Sequence, residues 1–328
     1  GRMRPLPAWV QRGAIIGTQG GTKRVKSLLA KLEAAGTPIS AVWLQDWVGR
    51  RKTAVGSQLW WSWELYRDLY PCWEGLVSEL HTKGARMLTY LNPFLVDASH
   101  ARHLTRDLFS EAQDKGYLVM DRDDKPYQIT NTTFSASMLD LTNPECRTWV
   151  KDFIKSNMLG VGASGWMLDY AEALPLDTKL HGGHDPASYH NEYPVQWARV
   201  NREAIAEVGL EDDALFFTRS GYHCSPRYTT CFWLGDQLTS WRREDGIKSV
   251  VVGLLSSGLC GMSLNHGDIG GYTTTAVLPF RIPFVTFRRS KELLMRWTEL
   301  CAFTPVFRTH EGNVPHRNHQ VGDDPETL

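Results

Sequence analysis

The sequence predicts an α/β fold of the (β/α)8 barrel type. Short apolar runs alternate with stretches of helical apolar spacing along the whole chain, with no segregation of one kind from the other. About eight such strand–helix units fit within the 328 residues, a count that favours a closed parallel barrel over an open sheet. Polar side chains collect directly after the apolar runs, at Asp46, Asn92, Asp169, Arg219, Asp236, Asp268 and His310. In a parallel barrel the active site is built where the strands end, so these positions are expected at its mouth. No GxGxxG motif follows the first run, which argues against a dinucleotide-binding sheet.

The first strand is expected over Gly13-Ala14-Ile15-Ile16-Gly17. A helix from Thr22 follows, with Val25, Leu28, Leu29 and Leu32 on one face and Gly36 as its stop. Ile39 to Leu44 is a strand ending in Gln45-Asp46-Trp47, and a helix with Leu76, Val77 and Leu80 closes at Gly84. Arg86 to Leu91 is a strand ending in Asn92-Pro93, and Thr105 to Lys115 a helix. Pro144 and Pro194 each open a helix at its first turn, where the missing N–H has no partner to lose. Between them Gly165 to Leu168 is a strand ending at Asp169. Leu215 to Thr218 and Phe232 to Leu234 are strands leading to Arg219 and Asp236. Ile247 to Leu255 is helical, Gly261 to Leu264 a strand, and Arg288 to Phe303 helical, before Val306-Phe307 leads to His310.

Composition narrows the function. With 36 basic and 36 acidic residues the formal charge is zero and no basic stripe stands out, so nucleic acid is not an expected partner. No apolar run reaches the roughly 18–20 residues that span a bilayer, and Gly1-Arg2-Met3-Arg4-Pro5 does not have the pattern of a signal peptide. The six cysteines form no C-x-x-C pair and are read as buried thiols. His184 and His190 lie on an expected loop without ligand spacing, so no metal is expected. Asn131-Thr132-Thr133 matches a glycosylation sequon, a pattern common by chance. The 13 tryptophans are mostly core candidates, but a pyranose C–H face also stacks on an indole, and several lie beside acidic residues at strand ends.

Two of the strand-end residues suit glycoside hydrolysis, which uses a pair of carboxyl groups flanking one bond. Asp169 ends Gly165-Trp166-Met167-Leu168, and Asp236 follows Trp233-Leu234-Gly235. One would attack the anomeric carbon while the other protonates the leaving oxygen. Retention places such carboxyl groups about 5–5.5 Å apart. Burial against Trp233 and the charge of Asp169 would favour the protonated form of Asp236. Taken singly, an aspartate after a strand is more often a cap or an ion-pair partner.

Longer stretches carry a resemblance. Trp166-Met167-Leu168-Asp169-Tyr170-Ala171-Glu172 resembles the nucleophile strand of glycoside hydrolase family 31, and Phe232-Trp233-Leu234-Gly235-Asp236-Gln237 its acid/base segment. Phe217-Thr218-Arg219-Ser220-Gly221, His266-Gly267-Asp268-Ile269-Gly270-Gly271-Tyr272 and Arg308-Thr309-His310-Glu311-Gly312-Asn313 resemble further segments, in order along the chain. Within the family, Gln45-Asp46-Trp47-Val48-Gly49-Arg50 and Gly56-Ser57-Gln58-Leu59-Trp60-Trp61-Ser62-Trp63 are most similar to the sulfoquinovosidases, which release 6-deoxy-6-sulfoglucose from α-glycosides. The resemblance implies a retaining hydrolase with a small glycoside as substrate and no cofactor, Asp169 as nucleophile and Asp236 as acid/base. It implies Gln45, Trp61 and Tyr272 around the sulfonate, Arg219 and His310 on ring hydroxyls, and Asp46 and Gln58 lining the same site.

The sequence also departs from that pattern. The subgroup has an arginine where Gln58 stands, and losing a charged donor from a permanent anion costs about 1.5–3 kcal/mol. Arg50, Arg51 or Lys52 is a candidate to supply the charge instead. Residues 277–287 are apolar, contain two prolines and read as an insertion. The end at Asp323-Asp324-Pro325-Glu326-Thr327-Leu328 resembles the start of a last barrel helix, and the family's flanking β-domains have no counterpart here. The sequence is therefore read as one barrel domain over 1–328, incomplete at its C-terminal end. A family 31 enzyme for a neutral sugar and a non-catalytic carbohydrate-binding homologue stay open, as does a homo-oligomer. A barrel isomerase or aldolase is disfavoured, for want of a phosphate-binding glycine loop or a buried strand-end lysine.

Overall fold

A computed structural model describes residues 1–53, 56–99, 101, 104–131, 133–275 and 287–328. Thr132 of the sequon and residues 277–286 of the expected insertion lie outside them. The described elements begin with β1 (Ala14–Thr18), α1 (Thr22–Ala34), β2 (Ile39–Leu44), the hairpin strands β3 (Arg50–Thr53) and β4 (Gly56–Leu59), and α2 (Trp73–Thr82). Next come β5 (Arg86–Leu91), β6 (Phe94–Leu95), α3 (Leu108–Asp114), β7 (Ile129–Asn131), β8 (Phe134–Met138), α4 (Pro144–Phe153) and β9 (Gly165–Leu168). The remainder is α5 (Pro186–Tyr189), α6 (Tyr193–Glu207), β10 (Leu215–Thr218), β11 (Cys231–Trp233), α7 (Ile247–Leu259), β12 (Asn265–His266) and α8 (Lys291–Cys301).

The chain divides into two compact units. The first holds Gly1, Asp46–Glu74 and Thr89–Thr229. In it the last three residues of β5 run parallel to β9, with Thr89 opposite Trp166 and Leu91 opposite Leu168. Strand β10 runs parallel to β9, with Leu215 opposite Gly165 and Thr218 opposite Leu168. Glycine at 165 permits that pairing, because a Cβ there would lie 1.9 Å from the Leu215 carbonyl oxygen. Strands β6, β8 and β7 form a separate antiparallel sheet, and β3 pairs antiparallel with β4. Helix α6 covers the parallel strands, where Asn201 accepts a 3.0 Å hydrogen bond from the Trp166 indole. Burying an indole N–H against a side-chain carbonyl avoids the cost of an unpaired donor.

The second unit holds Arg2–Gln45, Gly75–Leu88 and Thr230–Leu328. Here β2 lies between β1 and the first three residues of β5, all parallel. Ile15 of β1 also bridges Arg308, and Thr309 bridges Ile269, while β11 runs parallel to β12. Val250, Ile269, Leu293, Leu294 and Trp297 pack as one apolar cluster. That cluster joins α7 and α8 to the chain segment carrying Asp268, with Val250 as the buried residue of α7, while Val251, Val252, Leu255 and Leu259 of the same helix stay exposed.

Several expected boundaries shift for local reasons. The helix expected over 105–115 begins only at Leu108, since Asp107 caps it by accepting from the Phe109 and Ser110 amides. Ser290 caps α8 in the same way, two residues past the expected start at Arg288. The strand expected at Gly261–Leu264 is instead Asn265–His266. Helix α7 runs on to Leu259, and Gly261, at φ +91°, turns the chain so that the Met262 amide bonds the Ser257 carbonyl at 2.8 Å. The hairpin β3–β4 and the sheet β6-β8-β7 lie outside the strand–helix alternation read from the sequence; only β8, Phe134-Ser135-Ala136-Ser137-Met138, alternates apolar and polar residues. Of the cysteines, Cys146, Cys231 and Cys301 are buried as expected, but Cys72 and Cys260 are exposed.

Candidate active site

Asp169 follows β9 directly and is buried at 6% exposure. Its Oδ2 accepts a 2.6 Å hydrogen bond from the Tyr90 hydroxyl, and its Oδ1 accepts one of 2.8 Å from the Tyr170 amide. Arg219, the residue after β10, brings a guanidinium nitrogen to 3.1 Å from Oδ1. The same guanidinium donates to Glu172 Oε1 at 2.9 and 2.5 Å. Burial pushes the Asp169 carboxyl above its ordinary value, while the Arg219 charge and the Tyr90 and Tyr170 hydrogen bonds pull it down. The chain directly after it is strained, with Tyr170 at φ +58° and Ala171 at φ +85°. Left-handed backbone at non-glycine residues costs on the order of 1–3 kcal/mol each and gathers at functional sites. Here it keeps the Tyr170 amide pointed at the carboxylate, while Ser220 Oγ donates to the Tyr170 carbonyl at 2.6 Å. With hydrogen bonds on both oxygens, the Asp169 carboxylate is fixed in orientation.

The same unit gathers Asp46, Gln58 and Trp61. Trp61, 5% exposed, packs edge-on against Tyr170 at 5.4 Å and against Phe134 at 4.9 Å. Tyr170 in turn lies under the Arg219 guanidinium at 4.3 Å, so indole, phenol, guanidinium and Asp169 are in continuous contact. Gln58 on β4 stands opposite Arg51 on β3, and its Oε1 accepts from Thr133 Oγ1 at 3.0 Å. Asp46 is 1% exposed, accepts from the Tyr70 hydroxyl and lies 3.7 Å from Arg50.

The second unit carries Gln45, Asp236, Tyr272 and His310. Gln45 is half-buried after β2. His310 is buried at 5%, with ring contacts of 4.9 Å to both Trp43 and Tyr272. The Gly312 amide donates to His310 Nδ1 at 2.8 Å, so Nδ1 accepts and Nε2 is the donor. Asp236 differs from expectation. Trp233 is buried at 1%, whereas Asp236 is exposed and not buried as expected. The strand ends at Trp233, and Gly235, at φ +82°, turns the chain outward before Asp236.

Tyr90 and Arg289 were missed from sequence. Tyr90 sits inside an apolar strand and reads as core, although a buried tyrosine hydroxyl always needs a partner. Arg289 is buried at 2%, and burial brings it down to about 10. It donates to the carbonyls of Ile269, Gly271, His310, Glu311 and His319, fixing the loops that carry Tyr272 and His310. Asp268, which follows β12, forms a fully buried ion pair with Arg308. Arg308 also donates to His266 Nε2 at 2.9 Å, and burial holds that imidazole neutral. Among the described residues no three His, Cys, Asp or Glu side chains cluster as metal ligands, and no helix is long and apolar enough to cross a membrane.

Residues 5–325 match the model of the glycosyl hydrolases family 31 TIM-barrel domain, the fold class expected from the sequence. The chain is 40% identical over its full length to the sulfoquinovosidase of Escherichia coli K12 and 41% identical to that of Agrobacterium fabrum C58. It spans 46% and 47% of those two proteins, about half the length of each. A family 31 sulfoquinovosidase from E. rectale, solved with an aza-sugar inhibitor, superposes with a TM-score of 0.92 at 40% identity, over all of this chain and 47% of that one. A Flavobacterium johnsoniae dextranase of the family, 23% identical with a TM-score of 0.75, shares the fold. The chain belongs to glycoside hydrolase family 31.

Proposed function

We propose that this chain carries the catalytic machinery of a retaining α-glycosidase acting on α-sulfoquinovosides. The observation that carries it is the Asp169 carboxylate, fixed by Tyr90, Tyr170 and Arg219 at the end of β9. Identity of 40% or more over the full chain to two sulfoquinovosidases supports the sugar. In this reading Asp169 attacks the anomeric carbon and forms a covalent glycosyl-enzyme. Asp236 donates a proton to the leaving oxygen and then takes one from the water that releases the sugar. The exposed carboxyl of Asp236 suits a group that exchanges protons with solvent between turnovers. Arg219 and His310 hold ring hydroxyls, Gln45, Gln58, Trp61 and Tyr272 shape the sulfonate end, and Asp46 is a further substrate-binding residue.

The test compares p-nitrophenyl α-sulfoquinovoside with the α-glucoside and follows the first-formed sugar by proton NMR. Preference for the sulfonated substrate with the α-anomer appearing first is expected. A preference for the glucoside, or the β-anomer first, overturns the reading.

A further inference from the structure

The hairpin β3–β4 carries three basic side chains that differ in their engagements. Lys52 is exposed, and Arg50 lies 3.7 Å from the buried Asp46 carboxylate. Arg51 has no carboxylate within ion-pair distance among the described residues, and its Nε and one terminal nitrogen are buried without a hydrogen-bond partner. The guanidinium instead lies over Phe134, 3.8 Å from the ring centroid, and 4.8 Å from the Trp60 ring. Buried guanidinium donors without acceptors are costly, and a permanent anion would satisfy them. Position supports this. Arg51 is directly opposite Gln58 in the antiparallel register, and directly opposed residues project from the same face. Phe134 touches both Arg51 and Trp61, and Trp61 reaches Asp169 through Tyr170 and Arg219.

Resting on the proposed function, we infer that Arg51 is the specificity-determining cation of this site and binds the anionic group on the sugar, with Gln58 beside it as a neutral donor. A glutamine at 58 is then tolerable because the charge sits on the facing strand. Phe134 and Trp60 hold the guanidinium plane in place, as aromatic faces do for arginine.

The experiment measures kcat/KM for p-nitrophenyl α-sulfoquinovoside and α-glucoside in the wild type, Arg51→Gln, Arg51→Lys and the double variant Arg51→Gln/Gln58→Arg. Arg51→Gln is expected to lower the sulfonate-to-glucoside ratio by about 10–150-fold, the range for a lost charged hydrogen bond. Arg51→Lys should lower it less, and Gln58→Arg should restore selectivity in the double variant. An equal fall on both substrates with no rescue, or an unchanged ratio, overturns the assignment of Arg51. A wild type that prefers the glucoside instead overturns the proposed function itself, so the two failures are distinct.

Discussion

The Arg219 guanidinium lies 3.1 Å from Asp169 Oδ1 while donating twice to Glu172. In the proposed mechanism Asp169 attacks as the ionised carboxylate, and burial works against that ionisation. Arg219 opposes burial, so removing its charge lets the carboxyl keep its proton to higher pH. Arg219→Met is expected to move the acid limb of the kcat/KM profile upward in pH. It should also lower the plateau by about 10–150-fold, the range for a lost charged hydrogen bond. A pH–rate profile checks both, and an unmoved limb would show that Arg219 does not set the ionisation.

Tyr90→Phe removes the 2.6 Å hydrogen bond to Asp169 Oδ2 and leaves the Asn92 amide without the hydroxyl it donates to at 3.2 Å. The acid limb should move in the same upward direction, because a donor favouring the charged form is lost. Tyr90 is buried beneath the carboxylate at 2% exposure, so the loss is expected in kcat with little change in KM. An effect confined to KM would contradict this positioning role.

The Arg308–Asp268 pair has both side chains at 0% exposure. Removing one partner from such a pair strands a buried charge and costs about 3–5 kcal/mol. Arg308→Met should therefore lower the urea midpoint strongly. The double variant Arg308→Met/Asp268→Asn should recover part of the loss, since the second change removes the stranded carboxylate.

Gly165→Ala would press a Cβ against the Leu215 backbone carbonyl, an atom that cannot rotate away. Strand β10 must shift, and a cost of at least about 1–3 kcal/mol is expected. The same shift moves Arg219 relative to Asp169, so kcat should fall together with the thermal midpoint.

The parallel strands were legible because each is a short apolar run bounded by glycine or polar residues, as in Gly165 to Leu168 and Leu215 to Thr218. The strand-end rule then pointed to Asp169 and Arg219, and these two do meet. Asp268 also follows a strand end, after β12, and its ion pair with Arg308, 40 residues on, carries no local signal. The hairpin Arg50–Leu59 and strands β6 and β7 are short and carry no run of alternating polarity, whereas β8, Phe134-Ser135-Ala136-Ser137-Met138, does alternate and is a strand signal that the strand–helix reading passes over. Asp236 is expected to be buried beside Trp233, but it is exposed, following the left-handed turn at Gly235. Arg289 gave no sequence signal, since its partners are backbone carbonyls and one side chain, Gln320, that lies 31 residues on.

The most direct test of the central claim is the configuration of the product formed by Asp169→Gly in sodium azide with p-nitrophenyl α-sulfoquinovoside. With the carboxylate gone, azide can occupy its place and attack the face opposite the leaving group, so hydrolysis should nearly cease and the β-glycosyl azide should accumulate. Undiminished hydrolysis, or an α-azide, would contradict Asp169 as the nucleophile.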